Sequence, residues 1–316
     1  MVEVPGELLQ TLCHQSPRID VLRLDRLHGL ASGNKWFKLR ANLDEARRVG
    51  ARHLVSFGGA YSNHLHALAA IAAEQAWPCC VFVRADSDQQ TPCMVDMARW
   101  GTRIVRLSRA DYRQRREPAF VDSLLCDIDR PYLIPEGGAN VLGAAGCMDI
   151  AALLPRRGAD YDALILACGT GSTLAGLAAG VADGVQIIGV PVVKKAEQFM
   201  PADIERLLGG LDARRVNWSL DYRFIGKGFG RVTPTLAAFM ARFEQQTGIP
   251  LDPVYTGKLF YAVEALKQAG EFNRWSRVLV VHTGGLQGRR GYPALFTFPV
   301  DEANRPVPQS SVQAAR

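Results

Sequence analysis

The chain lacks most of the patterns that declare a function at sight. Its seven cysteines include no Cys-x-x-Cys pair. An odd count in 316 residues argues against a disulfide framework and for a reducing cytoplasm. No clustered metal ligands appear, so a metalloenzyme reading has no anchor. No Ser-His-Asp elbow is present, and no Gly-Lys-Ser/Thr ending closes a glycine-rich loop, which excludes an ordinary Walker loop. No uninterrupted apolar run reaches bilayer length. The stretch from Met1 to Gln10 carries two glutamates and no charged-then-apolar signal pattern. Long Lys/Arg runs and aromatic-basic interleaving are also missing. A net charge of +6 and a pI of about 9.0 therefore point to a mildly basic soluble protein without nucleic-acid or membrane partners. The positive bias suits an anionic cofactor or substrate.

What is present is ordinary globular material, 48% hydrophobic and 22% charged, enough for one large domain or two medium ones. Short β-rich apolar runs alternate with helical patterns. Strands are expected at 53–57, 79–84, 102–107 and 132–134. Helices are expected from Ser62 to Gln75 and from Thr91 to Trp100, with one charged helix running to about Asp127. After a break near Glu136–Asn140 the rhythm resumes. Strands are expected at 162–167, 186–193 and 277–281, and helices at 172–182, 233–246 and 257–269. A strand at Val21–Leu24 fits either sheet. This β-α-β-α order predicts an α/β protein of two doubly wound, parallel-sheet domains with a ligand cleft between them. The expected division gives residues 1–40 and 141–316 to a larger domain and 41–140 to a smaller one, with a frayed tail at about 304–316.

Five stretches carry chemistry. In Ser32-Gly33-Asn34-Lys35-Trp36-Phe37-Lys38 a glycine turn delivers Lys35 to a helix start, and Lys38 follows on the same face. Such a lysine forms an imine with a carbonyl cofactor if its pKa is depressed, although lysines at this spacing are more often solvated. Gly169-Thr170-Gly171-Ser172-Thr173 joins a strand to a helix, so loop amides, hydroxyls and the helix dipole converge on one anion. A plain βα turn is the bland reading. A dinucleotide fingerprint is weakened by the spacing and by Lys194-Lys195 where an acidic residue is expected, which leaves NADP open. A single phosphate monoester is favoured.

Gly58-Gly59-Ala60-Tyr61-Ser62-Asn63-His64 also joins a strand to a helix. Ser62 is an N-cap in the bland reading, and the same helix start suits a carboxylate. Asn63 suits a phenolic oxygen, and His64 adds a proton donor or acceptor. His66 lies off that face and reads as structural. In Val254-Tyr255-Thr256-Gly257-Lys258, Tyr255 is a core tyrosine or a proton-transfer group, and Thr256 offers a neutral hydroxyl. His282-Thr283-Gly284-Gly285 ends the last strand in a sharp turn that lets backbone approach a ligand.

Together these stretches resemble the pyridoxal-phosphate enzymes of the tryptophan synthase β type, fold type II. They are most similar to the branch of 1-aminocyclopropane-1-carboxylate (ACC) deaminase and D-cysteine desulfhydrase. The resemblance runs from about Leu24 to Gly285. It implies pyridoxal 5'-phosphate in the cleft, joined to Lys35 and held at its phosphate by Gly169, Thr170, Gly171, Ser172 and Thr173. It implies Lys38 as an amine that keeps Lys35 less protonated, Asn63 at the phenolic oxygen and Thr256 at the pyridine nitrogen. Ser62 and Tyr255 would act in catalysis, with Tyr61, Ser62, Asn63, His64 and Phe229 around a small amino-acid substrate. It further implies a cytoplasmic homodimer. ACC deaminases usually carry glutamate where this chain has Thr256, and glutamine where it has His64. Both positions follow the desulfhydrases, which favours β-elimination from D-cysteine over ACC deamination. Both groups typically place tyrosine where Phe229 stands, and Tyr61 replaces a usual glutamine. The open alternatives are ACC deamination, another β-substituted amino acid, a cofactor-binding protein without catalysis, and an NAD(P)-binding oxidoreductase.

Overall fold

The structure is a computed structural model that describes residues 8–213 and 217–296. The expected tail at 304–316 lies outside the described residues. In chain order the elements begin with β1 (Leu9–Cys13), β2 (Arg18–Arg23) and α1 (Asn34–Arg48). Next come β3 (His53–Gly59), α2 (Asn63–Glu74), β4 (Cys79–Arg84), α3 (Pro92–Arg99), β5 (Arg103–Leu107), α4 (Arg109–Arg113), α5 (Pro118–Leu125) and β6 (Pro131–Ile134). The chain continues with α6 (Val141–Ala152), β7 (Ala163–Cys168), α7 (Ser172–Gly180), β8 (Gln186–Pro191), α8 (Met200–Gly210) and β9 (Trp218–Leu220). It closes with α9 (Pro234–Thr247), α10 (Thr256–Gln268) and β10 (Arg277–His282).

The chain divides into two compact units, Met1–Asp44 with Gly138–Gly288 and Glu45–Gly137 with Arg289–Arg316. The larger unit holds a six-stranded sheet in the order β1-β2-β10-β7-β8-β9. β2, β10, β7, β8 and β9 are parallel. β1 pairs with β2 antiparallel, because only residues 14–17 connect them and a parallel crossover needs a far longer link. The N-terminal strand that the sequence left unassigned is β2, inside this sheet. β7, Ala-Leu-Ile-Leu-Ala-Cys, is buried throughout, as a strand covered on both faces must be. Leu22, Leu164, Leu166, Leu174, Leu279 and Val281 share its core.

The smaller unit has a four-stranded, wholly parallel sheet in the order β5-β4-β3-β6. Val55, Phe57, Phe82 and Tyr112 form its core, and Cys79 and Cys80 are buried in β4. The single charged helix expected after β5 is two. Pro118 has no amide hydrogen to continue a helix and instead opens α5 at its first turn. The units meet at 44/45 and 137/138, and residues 289–296 cluster with the smaller unit. Arg290 pairs there with Asp96, which also takes a hydrogen bond from His66 Nε2 at 2.9 Å. That bond gives His66 its structural role.

Candidate active site

In the larger unit, β7 and β10 are neighbours, and both deliver their following loops at the carboxyl end of the sheet. Gly171 precedes α7 with φ +78°, and Ser172 and Thr173 open the helix fully buried. The hydroxyls of Thr170 and Ser172 are 3.0 Å apart. These hydroxyls and the free amides of the first turn converge as an anion cradle needs. Gly169 is covered by Tyr255, since a Cβ at that position would stand 3.1 Å from the Tyr255 ring. Tyr255 in turn meets Phe229 edge to face, with centroids 5.8 Å apart.

Lys35 stands beside this loop. Its Nζ donates to Asn34 Oδ1 at 2.9 Å, and Asn34 Nδ2 donates to Thr173 Oγ1 at 2.8 Å. One amide thus ties the lysine to the cradle. Burial, and next the positive charge of Lys38, lower the Lys35 pKa to about 7 against weaker opposing charges from Cys147 and Asp252. Lys38 is itself buried, and burial lowers its pKa too.

Thr256 is fully buried at the start of α10. Its hydroxyl donates to Asp252 Oδ1 at 2.8 Å and accepts the Asp252 amide at 2.7 Å. Asp252 also takes the amides of Val254, Tyr255 and Thr256 at 2.9, 3.0 and 2.8 Å. Burial raises its pKa, and these bonds oppose the rise. The last strand's turn is held by His282. Its Nε2–H donates to Pro250 O at 2.8 Å, and its Nδ1 lies 3.1 Å from Asp25 Oδ1 and 3.3 Å from the Gly284 amide. Burial keeps this ring below the ordinary histidine pKa.

The remaining sequence-predicted residues belong to the smaller unit. Ser62 caps α2, its Oγ accepting the Leu65 amide at 3.2 Å. Asn63 is the first helical residue and Tyr61 is exposed just before the cap. His64 is buried, and its Nε2 lies 3.0 Å from Ser56 Oγ, whose own hydrogen goes to Ile134 O at 2.8 Å. One ring nitrogen of His64 is therefore committed to the strand beneath it.

The structure thus brings Lys35, the 169–173 loop, Tyr255 and Phe229 together. Sequence reasoning gave no role to Asn34, which stood inside a quoted motif, or to Asp252, two residues before another. Asn34 precedes the lysine, and Asp252 sits four residues before Thr256, a spacing that marks a carboxylate turned onto a helix start. The loop and the amine fit a phosphorylated aldehyde: an amide cradle for the phosphate and a lysine with pKa near neutrality for the carbonyl.

A family model described as pyridoxal-phosphate dependent enzyme matches residues 7–284. The chain is 31% identical over 315 residues to a protein from Variovorax paradoxus named 1-aminocyclopropane-1-carboxylate deaminase, covering 90% of this chain and 91% of that one. It is 29% identical over 320 aligned residues to a protein from Klebsiella pneumoniae subsp. pneumoniae named D-cysteine desulfhydrase, covering 93% of each. A solved structure described as an ACC deaminase homologue matches with a TM-score of 0.78 at 25% identity, covering 89% of this chain and 90% of that one. Nearly the whole described chain, with Lys35 and residues 169–173 inside it, lies within the family match: the chain belongs to the pyridoxal-phosphate dependent enzymes.

Proposed function

We propose that this enzyme is a lyase that eliminates the β-substituent of a small D-amino acid, D-cysteine first, giving pyruvate, ammonia and sulfide with the uptake of one water. The observation that carries the reading is the Asn34 bridge, 2.9 Å to Lys35 Nζ and 2.8 Å to Thr173 Oγ1. It places a reactive amine and an anion cradle on one short connection.

Pyridoxal phosphate, when bound, supplies an aldehyde for an amine and an electron sink for the bond broken at the α-carbon. Gly169 to Thr173 would hold its phosphate, Asn63 its phenolic oxygen and Thr256 its pyridine nitrogen. Asp252 fixes the Thr256 hydroxyl. The amides after Ser62 would bind the substrate carboxylate, with Tyr61 and His64 beside them. Lys35 Nζ, unprotonated in useful amount near neutral pH, takes the α-proton, and Asn34 orients it. Lys38 keeps Lys35 from holding its proton too tightly. Tyr255, close to the first glycine of the cradle, would supply a phenol for the leaving group.

ACC deamination is the second reading, favoured by the name of the Variovorax relative. Thr256 and Phe229 speak against it, because ring opening calls for a stronger sink and a second phenol. No helix among the described residues is long and apolar enough to cross a membrane. The cytoplasm is proposed as the location, in keeping with seven free cysteines, and a homodimer as the assembly.

The test uses protein reconstituted with pyridoxal phosphate and given D-cysteine, L-cysteine or ACC. Sulfide and pyruvate from D-cysteine alone, lost in Lys35→Ala, are expected. 2-Oxobutyrate from ACC would select the second reading.

A further inference from the structure

Lys258 closes the Val-Tyr-Thr-Gly-Lys motif, and the chemistry above does not use it. Its side chain is 3% exposed. Its Nζ donates to Gly228 O at 2.6 Å, to Ile225 O at 2.9 Å and, more weakly, to Val192 O at 3.4 Å. An ammonium has three hydrogens and no acceptor, so three carbonyls satisfy it completely. Burial of such a group costs free energy that a methionine of similar length would not incur. The amine therefore stands here for the three bonds it makes. They join α10 to the end of β8 and to residues 225–228.

That loop has long backbone bonds of its own, from Ile225 N to Tyr222 O at 3.4 Å and from Gly228 N to Ile225 O and Arg231 N to Gly228 O at 3.3 Å each. Gly226, Lys227 and Phe229 are exposed, and only Gly228 is buried. Gly228 has φ +101°, and a Cβ there would stand 2.9 Å from the Lys194 stem. The Lys258 bonds on the loop's carbonyls, at 2.6 and 2.9 Å, are shorter than those backbone bonds, and the Lys194 stem packs on Gly228. Phe229 follows directly. Its ring is 53% exposed yet meets Tyr255 edge to face at 5.8 Å.

We propose that Lys258 is a positioning residue that holds residues 225–228 so that Phe229 forms an apolar wall beside Tyr255, and that this wall makes the site select a thiol over a hydroxyl on the substrate's β-carbon. The inference rests on the β-elimination reading above. A phenylalanine edge suits a thiol, which hydrogen-bonds weakly, and offers a hydroxyl one partner fewer than a tyrosine would. A wall set by three hydrogen bonds keeps that preference sharp.

The experiment compares Lys258→Met, Phe229→Ala and the double variant with wild type, all loaded with pyridoxal phosphate, on D-cysteine and D-serine. Either single change is expected to raise KM for D-cysteine about tenfold, with kcat within about twofold. Either is also expected to lower the D-cysteine to D-serine ratio of kcat/KM about tenfold. The double variant should be no worse than the singles, since both remove one wall. Backbone hydrogen exchange over 225–230 should speed up in Lys258→Met and Lys258→Gln while α7 stays protected. Additive losses, an unchanged ratio, or unchanged exchange would overturn the proposal. If wild type releases no sulfide from D-cysteine, the reaction assigned above fails, and hydrogen exchange alone then decides whether Lys258 holds the loop.

Discussion

The carbonyl oxygen of Thr283 lies against Gly33, so close that a Cβ on the glycine would stand 2.0 Å from it. The same oxygen accepts the Asn34 amide at 3.1 Å. The turn after β10 is thereby the seat on which the lysine-bearing turn rests. Two sequence motifs separated by about 250 residues are one structural unit.

Gly33→Ala should therefore be costly. The new methyl must displace backbone, and φ +75° is strained for alanine. A loss of about 2–4 kcal/mol is expected in urea unfolding. Gly29→Ala, with nothing within 4 Å of its Cβ, should stay within about 0.5 kcal/mol. Equal effects of the two would refute the seating of one turn on the other.

Lys35 titrates near 7 because it is buried, next because Lys38 is charged. Capture of pyridoxal phosphate by the apoprotein should accelerate with pH around a midpoint of about 7. Lys38→Met removes a repelling charge and should move the midpoint up. Asp252→Asn removes an attracting charge and should move it down. The stability sign follows from a folded pKa below the unfolded 10.5. Below about 7 the buried charge costs stability, and the cost is relieved as pH rises from 7 toward 10.5. Stopped-flow absorbance on loading gives the midpoints, and shifts in the same direction for both variants would be inconsistent with this electrostatics.

Asp252 takes three amides and one hydroxyl at the head of α10. Asp252→Ala leaves those buried donors unsatisfied and should cost about 3 kcal/mol or more. Thr256→Val keeps the shape and removes only the hydroxyl, so its stability loss should be smaller, about 1 kcal/mol. Thermal unfolding of the apoproteins ranks the two, and a larger loss for Thr256→Val would contradict the arrangement.

Ser62 has a capping role in the structure and a proposed substrate role. Ser62→Gly separates them, because glycine retains most of the cap energy, within a few tenths of a kcal/mol, whereas Ser62→Ala loses about 1 kcal/mol. A raised KM in Ser62→Gly at nearly unchanged stability is expected. An unchanged KM would leave Ser62 with the cap alone.

Much of the fold could be read from the sequence because its strands are buried on both faces and its loops carry glycine and serine where β turns to α. The β7–Gly169–α7 passage is the clearest case. What escaped had physical reasons. α6, from Val141 to Ala152, is almost uniformly apolar and small, so it shows no helical stripe. β9 is three residues long, too short for any period. Arg290 reaches Asp96 across almost 200 positions, a pairing that no local pattern announces. In the candidate site, Lys35 and the 169–173 loop stood out from motif chemistry, and the structure brings them together through Asn34. Asn34 and Lys258 were not, because an amide and an amine within a motif declare a partner only when the fold supplies it.

The most direct measurement is to load the protein with pyridoxal phosphate, reduce it with borohydride and map the labelled peptide. One pyridoxyl group on Lys35, absent in Lys35→Ala, is expected. A label on Lys38 or Lys258 instead, or none on the wild type, would contradict it.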